Sequence, residues 1–335
     1  MSGLGIRTRA RRALARVVGG RFVLVYHRVA RPRHDPWGLC VSPECFAGQV
    51  AALAAYGPIF TVSELARRVA GGTAPRRASA ISFDDGYADN LHVAAPLLGR
   101  HGAPMTVYLA AGLLDGKTPF WWDTLARLLL APPDLPERIE LALGETTLSW
   151  SRPPGALPPT DPAWRSWTEG GPRERLFLDL WARMRLLDVH ARTSALRQLA
   201  CFVEAGAQDP ADRPLDGAEA AQLAAMQNVE IGAHTMTHPS LPCLHPDDAE
   251  REIAASREAC EAIASRPVES FSYPYGDHDA RVVEIVRALG FTSACTTLGS
   301  PIPRRGLDPL RLPRIQALDW TGDELARRLA RAELS

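Results

Sequence analysis

Short apolar runs alternate with longer helix-like stretches along much of this 335-residue chain, and this alternation limits the fold more than any other feature. Each of these short segments has five to seven residues, which is too short for a helix and typical of a buried strand. The predicted strands are Arg21–Tyr26, Ala78–Phe83, Pro104–Ala110, Val229–Ala233, Val268–Tyr273 and Phe291–Thr296. The predicted helices are Phe46–Tyr56, Thr61–Val69, Leu91–His101, Pro246–Ser265 and Ala280–Leu289. This order predicts an α/β fold with a mostly parallel sheet or barrel.

Residues 113–228 interrupt the alternation. They contain three loops with a Pro-Pro pair and six of the eight tryptophans of the chain. Helical patterns are found at Arg173–Leu187 and at Arg192–Ala205. We therefore predict a single domain over residues 21–335, interrupted by a mainly helical insertion at about 113–228.

The overall charge and the cysteines exclude several classes of protein. The 38 basic and 38 acidic residues balance, and the isoelectric point is near 7.1, so a generally nucleic-acid-binding surface is not expected. No apolar run approaches about 18 residues, so no membrane-spanning helix is predicted. None of the six cysteines belongs to a C-x-x-C pair, which indicates free thiols in a reducing compartment.

The N-terminal region is strongly basic. Residues 1–33 carry nine arginines and no acidic residue, and the apolar stretch that follows Arg21 is too short for a signal peptide. In the basic segment 1–20, the apolar residues from Ile6 to Val18 fall roughly on one face of a helix. Such a helix either rests on an anionic membrane surface or is simply solvated. We expect a cytoplasmic protein, with peripheral contact at the inner membrane face as one option.

Two adjacent carboxylates follow one of the predicted strands. Asp84 and Asp85 come directly after Ala78–Phe83, and Gly86 then permits a sharp turn. In parallel sheets and barrels, the groups that do chemistry collect at the carboxyl ends of the strands. Because the pleat points neighbouring side chains in opposite directions, the two acids can take different roles.

Two histidines with H-x-x-x-H spacing follow another predicted strand. His234 and His238 come directly after Val229–Ala233. Two imidazoles, one carboxylate and an open position for water form a common catalytic site for Zn²⁺ or a similar ion. Together with the carboxylates at a strand end, the pair predicts a divalent-metal site; the alternative is a hydrogen-bonded pair without an ion.

A third predicted strand ends in the segment Phe271-Ser-Tyr-Pro-Tyr-Gly276. Pro274 and Gly276 fix a turn, and Tyr275 offers an aromatic ring and a backbone N–H. Aromatic faces suit the apolar face of a pyranose, so we predict one wall of a sugar site here, with a plain turn as the alternative.

In this order, Ser82-Phe-Asp-Asp-Gly86, His234-Thr-x-x-His238 and Tyr273-Pro-Tyr-Gly276 resemble the motifs of the polysaccharide deacetylases, which are the NodB-homology or carbohydrate esterase family 4 enzymes. The resemblance covers about residues 21–112 and 229–318. It implies a distorted (β/α) barrel with seven or eight strands, which removes acetyl groups from N-acetylglucosamine units or from acetylated xylan. The segments Val25–Val29 and Asp85–Asn90 look most like the branch tied to bacterial exopolysaccharide and cell-envelope glycan synthesis.

The resemblance also implies roles for single residues. Asp84 would be the general base, and Asp85, His234 and His238 would bind one divalent metal ion, most naturally Zn²⁺, with Ni, Co or Mn as alternatives. The ion would lower the pKa of a water, Asp84 would take its proton, and the acetamide carbonyl would be attacked. The backbone N–H of Tyr275 would help to hold the oxyanion. The predicted substrate-binding residues are Tyr87, Pro274 and Tyr275.

Two positions depart from the family pattern. Family members often carry an arginine, paired with the base carboxylate, at the position that Ser272 occupies here, and we predict that Arg314 supplies this charge. The family also often has a general acid in a C-terminal Leu-x-x-His motif, but no histidine follows His278. In the absence of this motif, His27 and His278 are the candidate proton donors. The pair Asp319-Trp320 superficially matches another family motif.

Three functions follow from these observations. The leading one is a metal-dependent hydrolase that removes acetyl groups from N-acetylated sugar units of a glycan or lipid-linked saccharide. The alternatives are a hydrolase of a small non-sugar amide and a degenerate, non-catalytic glycan-binding protein. Tight metal binding would distinguish the two hydrolases from the binding protein, and acetate release from N-acetylglucosamine oligomers would distinguish the two hydrolases from each other.

The aromatic run Phe120–Asp123 either lines a glycan groove or packs a core for the inserted helices.

Overall fold

The computed structural model describes residues 19–155, 157–203, 209, 212–303 and 305–333. The basic segment 1–20, with its predicted amphipathic helix, therefore lies almost entirely outside the described residues. Among the helices of the described residues, none combines the length and the apolar character that crossing a membrane requires.

The secondary structure alternates between strands and helices, as the sequence pattern predicts. The strands are β1 Arg21–Tyr26, β2 Arg28–Val29, β3 Cys40–Val41, β4 Ile59–Phe60, β5 Ala78–Phe83, β6 Met105–Leu109, β7 Arg138–Leu143, β8 Thr146–Ser151, β9 Val229–Ala233, β10 Ser270–Ser272, β11 Ser293–Cys295 and β12 Ile315–Gln316. The α-helices are α1 Pro43–Tyr56, α2 Val62–Ala70, α3 Ala95–Gly99, α4 Trp121–Leu129, α5 Pro172–Met184, α6 Val189–Phe202, α7 Gly217–Ala224, α8 Pro246–Ala264, α9 Ala280–Ala288 and α10 Gly322–Ala332.

The main sheet is parallel and curled. Its strands lie in the order β11-β10-β9-β6-β5-β1-β12, and β4 pairs with β5 outside this path. The two ends of the order approach each other, because Cys295 of β11 forms a parallel bridge with Leu312, just before β12. The predicted distorted (β/α) barrel with seven or eight strands is confirmed.

The central strands are apolar along their whole length because both of their faces are covered. Phe22 to Tyr26 of β1 are at most 3% exposed, and every residue of β5 and β6 is buried. One apolar cluster joins these strands to the inward faces of α1, α8 and α9. Parallel strands that are buried on both faces read as continuous apolar runs, which is why the sequence reveals them clearly.

The predicted helix Leu91–His101 is shorter than expected. A π-helical turn over Asn90–Ala94 leads into the short helix α3. Pro96 lies in the first turn of α3 and has no N–H to donate to the preceding turn. A regular α-helix therefore cannot run through this point.

The region between β6 and β9 has an apolar core of its own. This second cluster contains Phe120, Trp121 and Trp122 together with apolar residues of α4, α5 and α6. It also contains alternate residues of the antiparallel hairpin β7–β8, which the sequence analysis did not predict. The aromatic run thus packs the inserted helices, although Trp122 also reaches the site described below. Helix α7 instead packs against the main cluster.

The polar segments singled out in the sequence lie at the ends of strands from one continuous stretch of the sheet, β10-β9-β6-β5-β1. His27 follows β1, Asp84 follows β5, His234 follows β9 and Ser272 ends β10. All of these strands are parallel, so their carboxyl ends lie at the same end of the barrel. The fold therefore brings these segments into one region.

Candidate metal centre and active site

Three side chains from two strand ends converge at this end of the barrel. The Nε2 atoms of His234 and His238 lie 3.5 Å and 3.4 Å from Oδ1 of Asp85. All three ligand atoms lie within 4.8 Å of one another. The three side chains are at most 6% exposed. The structure thus brings together the three metal ligands that the sequence predicts.

The arrangement of these atoms fits a divalent ion. Oδ1 of Asp85 is buried and makes no hydrogen bond to any residue that the structure describes, although two imidazole nitrogens lie near it. Nδ1 of His234 lies 2.7 Å from the carbonyl oxygen of Ser272, so Nδ1–H donates there and Nε2 keeps its lone pair on the side of Asp85. Ligand atoms about 2.0–2.2 Å from a tetrahedral Zn²⁺ are about 3.4 Å apart, which matches the two separations from Asp85.

The backbone at these ligands adopts an uncommon conformation. Asp85, Thr235 and His238 have φ angles of 74°, 65° and 54°. This left-handed region costs a non-glycine residue about 1–3 kcal/mol and is enriched at functional sites. Gly86 continues the turn with φ of 86°, and a Cβ atom there would lie 2.8 Å from the side chain of Leu109. The turn that places Asp85 therefore requires glycine at position 86.

Charged side chains from two helices hold the histidine-bearing loop. Glu252 of α8 accepts the backbone N–H of Met236 and of Thr237, each at 2.9 Å. Arg192 of α6 donates to the carbonyl oxygen of Thr237 at 3.0 Å and to that of His238 at 3.4 Å. Arg192 is only 3% exposed. The inserted region thus reaches the backbone of a predicted metal ligand.

Asp84 is held by an arginine from a distant part of the chain. Nη1 and Nη2 of Arg314 donate to Oδ1 and Oδ2 of Asp84, each at 2.7 Å. Nη2 also donates to the hydroxyl of Ser272 at 2.9 Å. Burial opposes ionisation of Asp84, but the guanidinium outweighs it and holds the pKa of Asp84 well below its usual range. Arg314 therefore occupies the position beside Asp84 that the sequence analysis proposed for it.

The pKa shifts of His238 and Asp85 favour the forms that bind metal ions, whereas the shift of His234 favours its charged form. Burial lowers the pKa of His238 to about 3, which leaves its imidazole neutral at pH 7. Burial alone would raise the pKa of Asp85, but the imidazoles of His234 and His238 favour the carboxylate and lower it. Burial opposes the charged form of His234, whereas Asp84 and Asp85 favour it, so the pKa of His234 is raised. A neutral imidazole and a carboxylate are the forms that bind metal ions.

A cavity of about 190 Å³ adjoins these groups. It is lined by Asp84, Asp85, His234 and His238, by the aromatic side chains Trp37, Trp122, Trp181 and Tyr275, and by His27, Leu39, Gly276, Thr297 and Gln316. The rings of Trp122 and Tyr275 lie 4.8 Å and 4.5 Å from the ring of His238. Tyr275 thus lines the cavity, with φ of 60° at the turn.

Tyr87 and Pro274 do not line this cavity, so the structure does not support direct substrate contact by either side chain. Tyr87 is fully buried, and its hydroxyl donates to Oδ2 of Asp123 at 2.7 Å and accepts the indole N–H of Trp122 at 2.8 Å. Pro274 is buried at the start of the turn after β10. Tyr87 positions Trp122, and Pro274 shapes the turn that carries Tyr275.

The predicted proton donors differ in location. His27 lines the cavity. His278 does not: its Nδ1 lies 2.8 Å from the carbonyl oxygen of Gly276, and its ring stacks on Tyr273. Asp319 accepts the N–H and the hydroxyl of Ser42 at the start of α1, so it has a structural role. Of these residues, only His27 is placed to meet a ligand in the cavity.

These features define the class: a parallel α/β barrel in which an Asp–His–His donor set lies beside an arginine-paired aspartate. Residues 198–294 match the family model of the polysaccharide deacetylases. The match includes both histidines and Tyr275, whereas Asp84 and Asp85 lie before it, ahead of the inserted region. No curated protein matches the chain at a significant level.

Several solved structures share the fold. The chain aligns with IcaB from Ammonifex degensii at a TM-score of 0.57 and 17% identity, covering 94% of this chain and 97% of that one. It aligns with the Streptococcus pyogenes deacetylase PplD, solved in complex with acetate, at 0.55 and 16%, covering 92% and 98%. A de-N-acetylase from Aggregatibacter actinomycetemcomitans gives 0.54 and 14%, covering 92% and 99%. At these identities the likeness establishes the fold.

The family match and the fold agree with the motifs. The resemblance to the polysaccharide deacetylases is confirmed over residues 198–294 by the family model, and the solved structures confirm the fold. The activity that this family match supports is hydrolysis of amide bonds in acetylated sugars.

Proposed function

We propose that this protein is a divalent-metal-dependent deacetylase that releases acetate from N-acetylated sugar units of a glycan or lipid-linked saccharide. The observation that carries the proposal is the convergence of Asp85, His234 and His238 beside the arginine-paired Asp84 in one aromatic-walled cavity. As the glycan we propose an exopolysaccharide or another cell-envelope polymer, on the basis of the segments Val25–Val29 and Asp85–Asn90.

Different groups of the site have different roles in the proposed hydrolysis. A divalent ion, when bound, supplies Lewis acidity, which lowers the pKa of water and stabilises negative charge. Asp84 is kept ionised by Arg314 and accepts a proton from the attacking water. Because the ion pair lowers the pKa of Asp84, it weakens the carboxylate as a base, and its contribution is to hold the carboxylate ionised and in position. The backbone N–H of Tyr275 is the group that we assign to the developing oxyanion.

The leaving amine needs a proton, and we assign its delivery to His27. This residue follows β1, which is paired with the strand that carries Asp84 and Asp85. It lines the same cavity, and its buried Nδ1 makes no hydrogen bond within the described part of the chain. Histidine is the side chain that most often transfers protons in enzyme active sites, so its position at the cavity makes His27 a suitable general acid.

The proposed metal is Zn²⁺. Two imidazoles and a carboxylate with an open position are typical of catalytic zinc. The same ligands also accept Co, Ni and Mn, so the identity of the ion has to be measured.

Metal removal and reconstitution test the proposal. The protein is stripped with a chelator, reloaded with Zn²⁺, Co²⁺, Ni²⁺ or Mn²⁺, and assayed for bound metal and for acetate release from N-acetylglucosamine oligomers. We expect one ion per chain, loss of acetate release on stripping, and recovery on reloading. A His245→Ala variant, at an exposed histidine, is the matched control and should bind metal normally. Acetate release that survives complete metal removal would contradict the proposal. Metal binding without acetate release would favour a non-sugar amide substrate instead.

A further inference from the structure

The hairpin β7–β8 of the inserted region has two outer edges, and the edge on β7 is protected. Arg138 and Glu140 of β7 are exposed charged residues. The N–H of Ala142 donates to Oε1 of Gln198 in α6 at 3.0 Å. Charged side chains and cover by a neighbouring element are common means by which proteins keep an edge strand from pairing with another strand.

The outer edge of β8 has neither protection among the described residues. The strand reads Thr146-Thr-Leu-Ser-Trp-Ser151 and carries no charge, no proline and no glycine. Its β-branched and aromatic residues favour an extended strand. Thr147, Ser149 and Ser151 are all exposed. An exposed, uncharged edge strand is a template for pairing with a further strand.

The register of the hairpin determines which backbone groups face this outer edge. Leu141 lies opposite Leu148, and beyond the strands the N–H of Arg152 donates to the carbonyl oxygen of Glu137. In an antiparallel pair, hydrogen-bonded and non-hydrogen-bonded positions alternate, so the even-numbered residues of β8 bond to β7. The outward-facing N–H and C=O groups of β8 are therefore those of Thr147, Ser149 and Ser151.

A second copy of β8 is complementary to this edge when it lies antiparallel about a twofold axis at Ser149. Thr147 then lies opposite Ser151 of the second copy, and Ser149 lies opposite itself. Hydroxyl side chains directly opposite each other stabilise an antiparallel pair by hydrogen bonds. On the other face, Leu148 lies opposite Trp150, whose indole is only half-buried in the single chain. No two charges of the same sign are brought opposite each other along the strand.

Pairing of this kind also ends at two copies. The joined sheet has the order β7-β8-β8-β7, so each of its outer edges is the protected edge of a β7 strand. A twofold contact that uses the same surface on both copies closes on itself, whereas a contact between different surfaces can continue into a filament. Four strands are also more stable than a two-stranded hairpin, which is marginal by itself.

We propose that the chain forms a dimer in which β8 pairs with β8 of a second copy, with Ser149 on the twofold axis. A second copy fits better than an extended peptide of another protein, because the edge is complementary to itself in side chains and in register. The inference goes beyond the proposed function and does not depend on it, since no residue of β8 lines the active-site cavity.

A pair of proline variants tests which edge is used. Sedimentation velocity on the full chain measures association over about 1–300 µM, a range that includes weak and transient interfaces. We expect the mass of wild type to rise with concentration and to level off at twice that of one chain. Ser149→Pro removes an outward N–H at the centre of the edge and should raise the Kd of the dimer about tenfold or more. Glu140→Pro makes the same change directly opposite in the hairpin, where the N–H faces away from β8, and should leave the Kd within about twofold.

A pair of charge variants tests the register. Ser149→Lys places two like charges directly opposite each other across the axis and should prevent dimerisation, as should Ser149→Glu. An equimolar mixture of the two proteins should dimerise, because each mixed pair sets a lysine against a glutamate. Only pairing about Ser149 brings this position against itself. Ala142→Lys, at an exposed position of β7, is the control and should dimerise as wild type does.

Several results would overturn the proposal. They are a wild type that stays monomeric at every concentration, a dimer that Ser149→Pro does not weaken, and a mixture of the two charge variants that stays monomeric. A mass that rises beyond that of a dimer would contradict the closed sheet. If both proline variants prevent dimerisation, the hairpin itself is damaged, and the mixture decides. No acetate assay enters these measurements, so a failure of the proposed function leaves their outcome unaffected.

Discussion

Arg314 and Asp84 lie 230 positions apart in the chain and form a buried ion pair with two contacts of 2.7 Å. Their side chains are 0% and 6% exposed. The bridging hydroxyl of Ser272 completes the group and is small enough to leave room for the guanidinium. Family members often have an arginine at the position of Ser272. In this chain the positive charge beside Asp84 comes instead from Arg314, just before β12.

The first prediction concerns the energetics of this pair. Removing one partner of a buried ion pair leaves the other charge without compensation, which costs about 3–5 kcal/mol. We expect Arg314→Met to lower the free energy of unfolding by this amount, as measured by urea denaturation at pH 7. The double variant Asp84→Asn/Arg314→Met should regain most of the loss. A double variant whose loss of unfolding free energy equals the sum of the losses of the two single variants would contradict the coupling of Asp84 and Arg314.

The second prediction separates the general base from the metal ligands. Asp84→Asn should reduce kcat for acetate release by about 10²–10⁴-fold, since it removes the proton acceptor, yet it should retain bound metal. His234→Ala should lose both metal and activity, because a donor atom disappears. Elemental analysis and an acetate assay on the two proteins give the comparison. An Asp84→Asn variant with full activity would refute the role of Asp84 as base.

The parts of the site that the sequence reveals all lie at strand ends. The strand before Asp84 is fully buried, the strand before His234 is almost fully buried, and Ser272 ends a third buried strand, because both faces of the sheet are covered. Parallel strands have their carboxyl ends at the same end of the sheet, so this convergence can be predicted even when the loop conformations are not known. For this reason the barrel and the convergence of Asp85, His234 and His238 could be predicted from residues alone.

The parts that were missed depend on contacts between distant segments. Trp37 and Trp181 line the cavity, and their rings are 4.3 Å apart, but they come from a loop and from an inserted helix. Tyr87 is adjacent to the Asp84–Gly86 motif and was predicted to bind substrate, yet it turns into the core toward Asp123. A residue's position in a motif does not fix its side-chain direction once a turn follows. By contrast, Ile139, Leu141 and Leu143 alternate with exposed residues, and this was a readable signal for the missed hairpin.

The third prediction concerns Arg192, which holds the backbone of His238, a proposed metal ligand, and is not itself one of the three candidate ligands. Its guanidinium holds the carbonyl groups of Thr237 and His238, where the backbone is left-handed at His238. We expect Arg192→Met to weaken metal binding by about 10–100-fold, as is typical when support behind a ligand is lost. Affinity is measured by competition with a chromophoric chelator.

Variants at one helix give the controls for this prediction. Arg197→Met removes an exposed arginine from the same helix, α6, and should bind metal as wild type does. Visible spectra of the Co²⁺-loaded proteins report the ligand geometry directly, which a loss of stability alone would not change. Unaltered affinity and spectrum in Arg192→Met would show that the insertion only covers the site.

The last prediction uses the pH dependence of stability. Burial raises the pKa of Asp123 to about 7; Arg28 opposes this shift, and the carboxylates of Asp212 and Asp85 add to it. An acid with a folded-state pKa above its unfolded value of about 3.9 stabilises the fold fully below that unfolded value, and the contribution is lost as pH rises through the folded-state pKa. Asparagine keeps an acceptor for the Tyr87 hydroxyl but does not ionise. In metal-free protein, the free energy of unfolding of Asp123→Asn minus that of wild type should therefore increase from pH 5 to pH 8. The increase should be no more than about 4 kcal/mol. The exposed Asp179→Asn should show no such trend, and a pH-independent difference for Asp123→Asn would mean that Asp123 ionises normally in the folded protein.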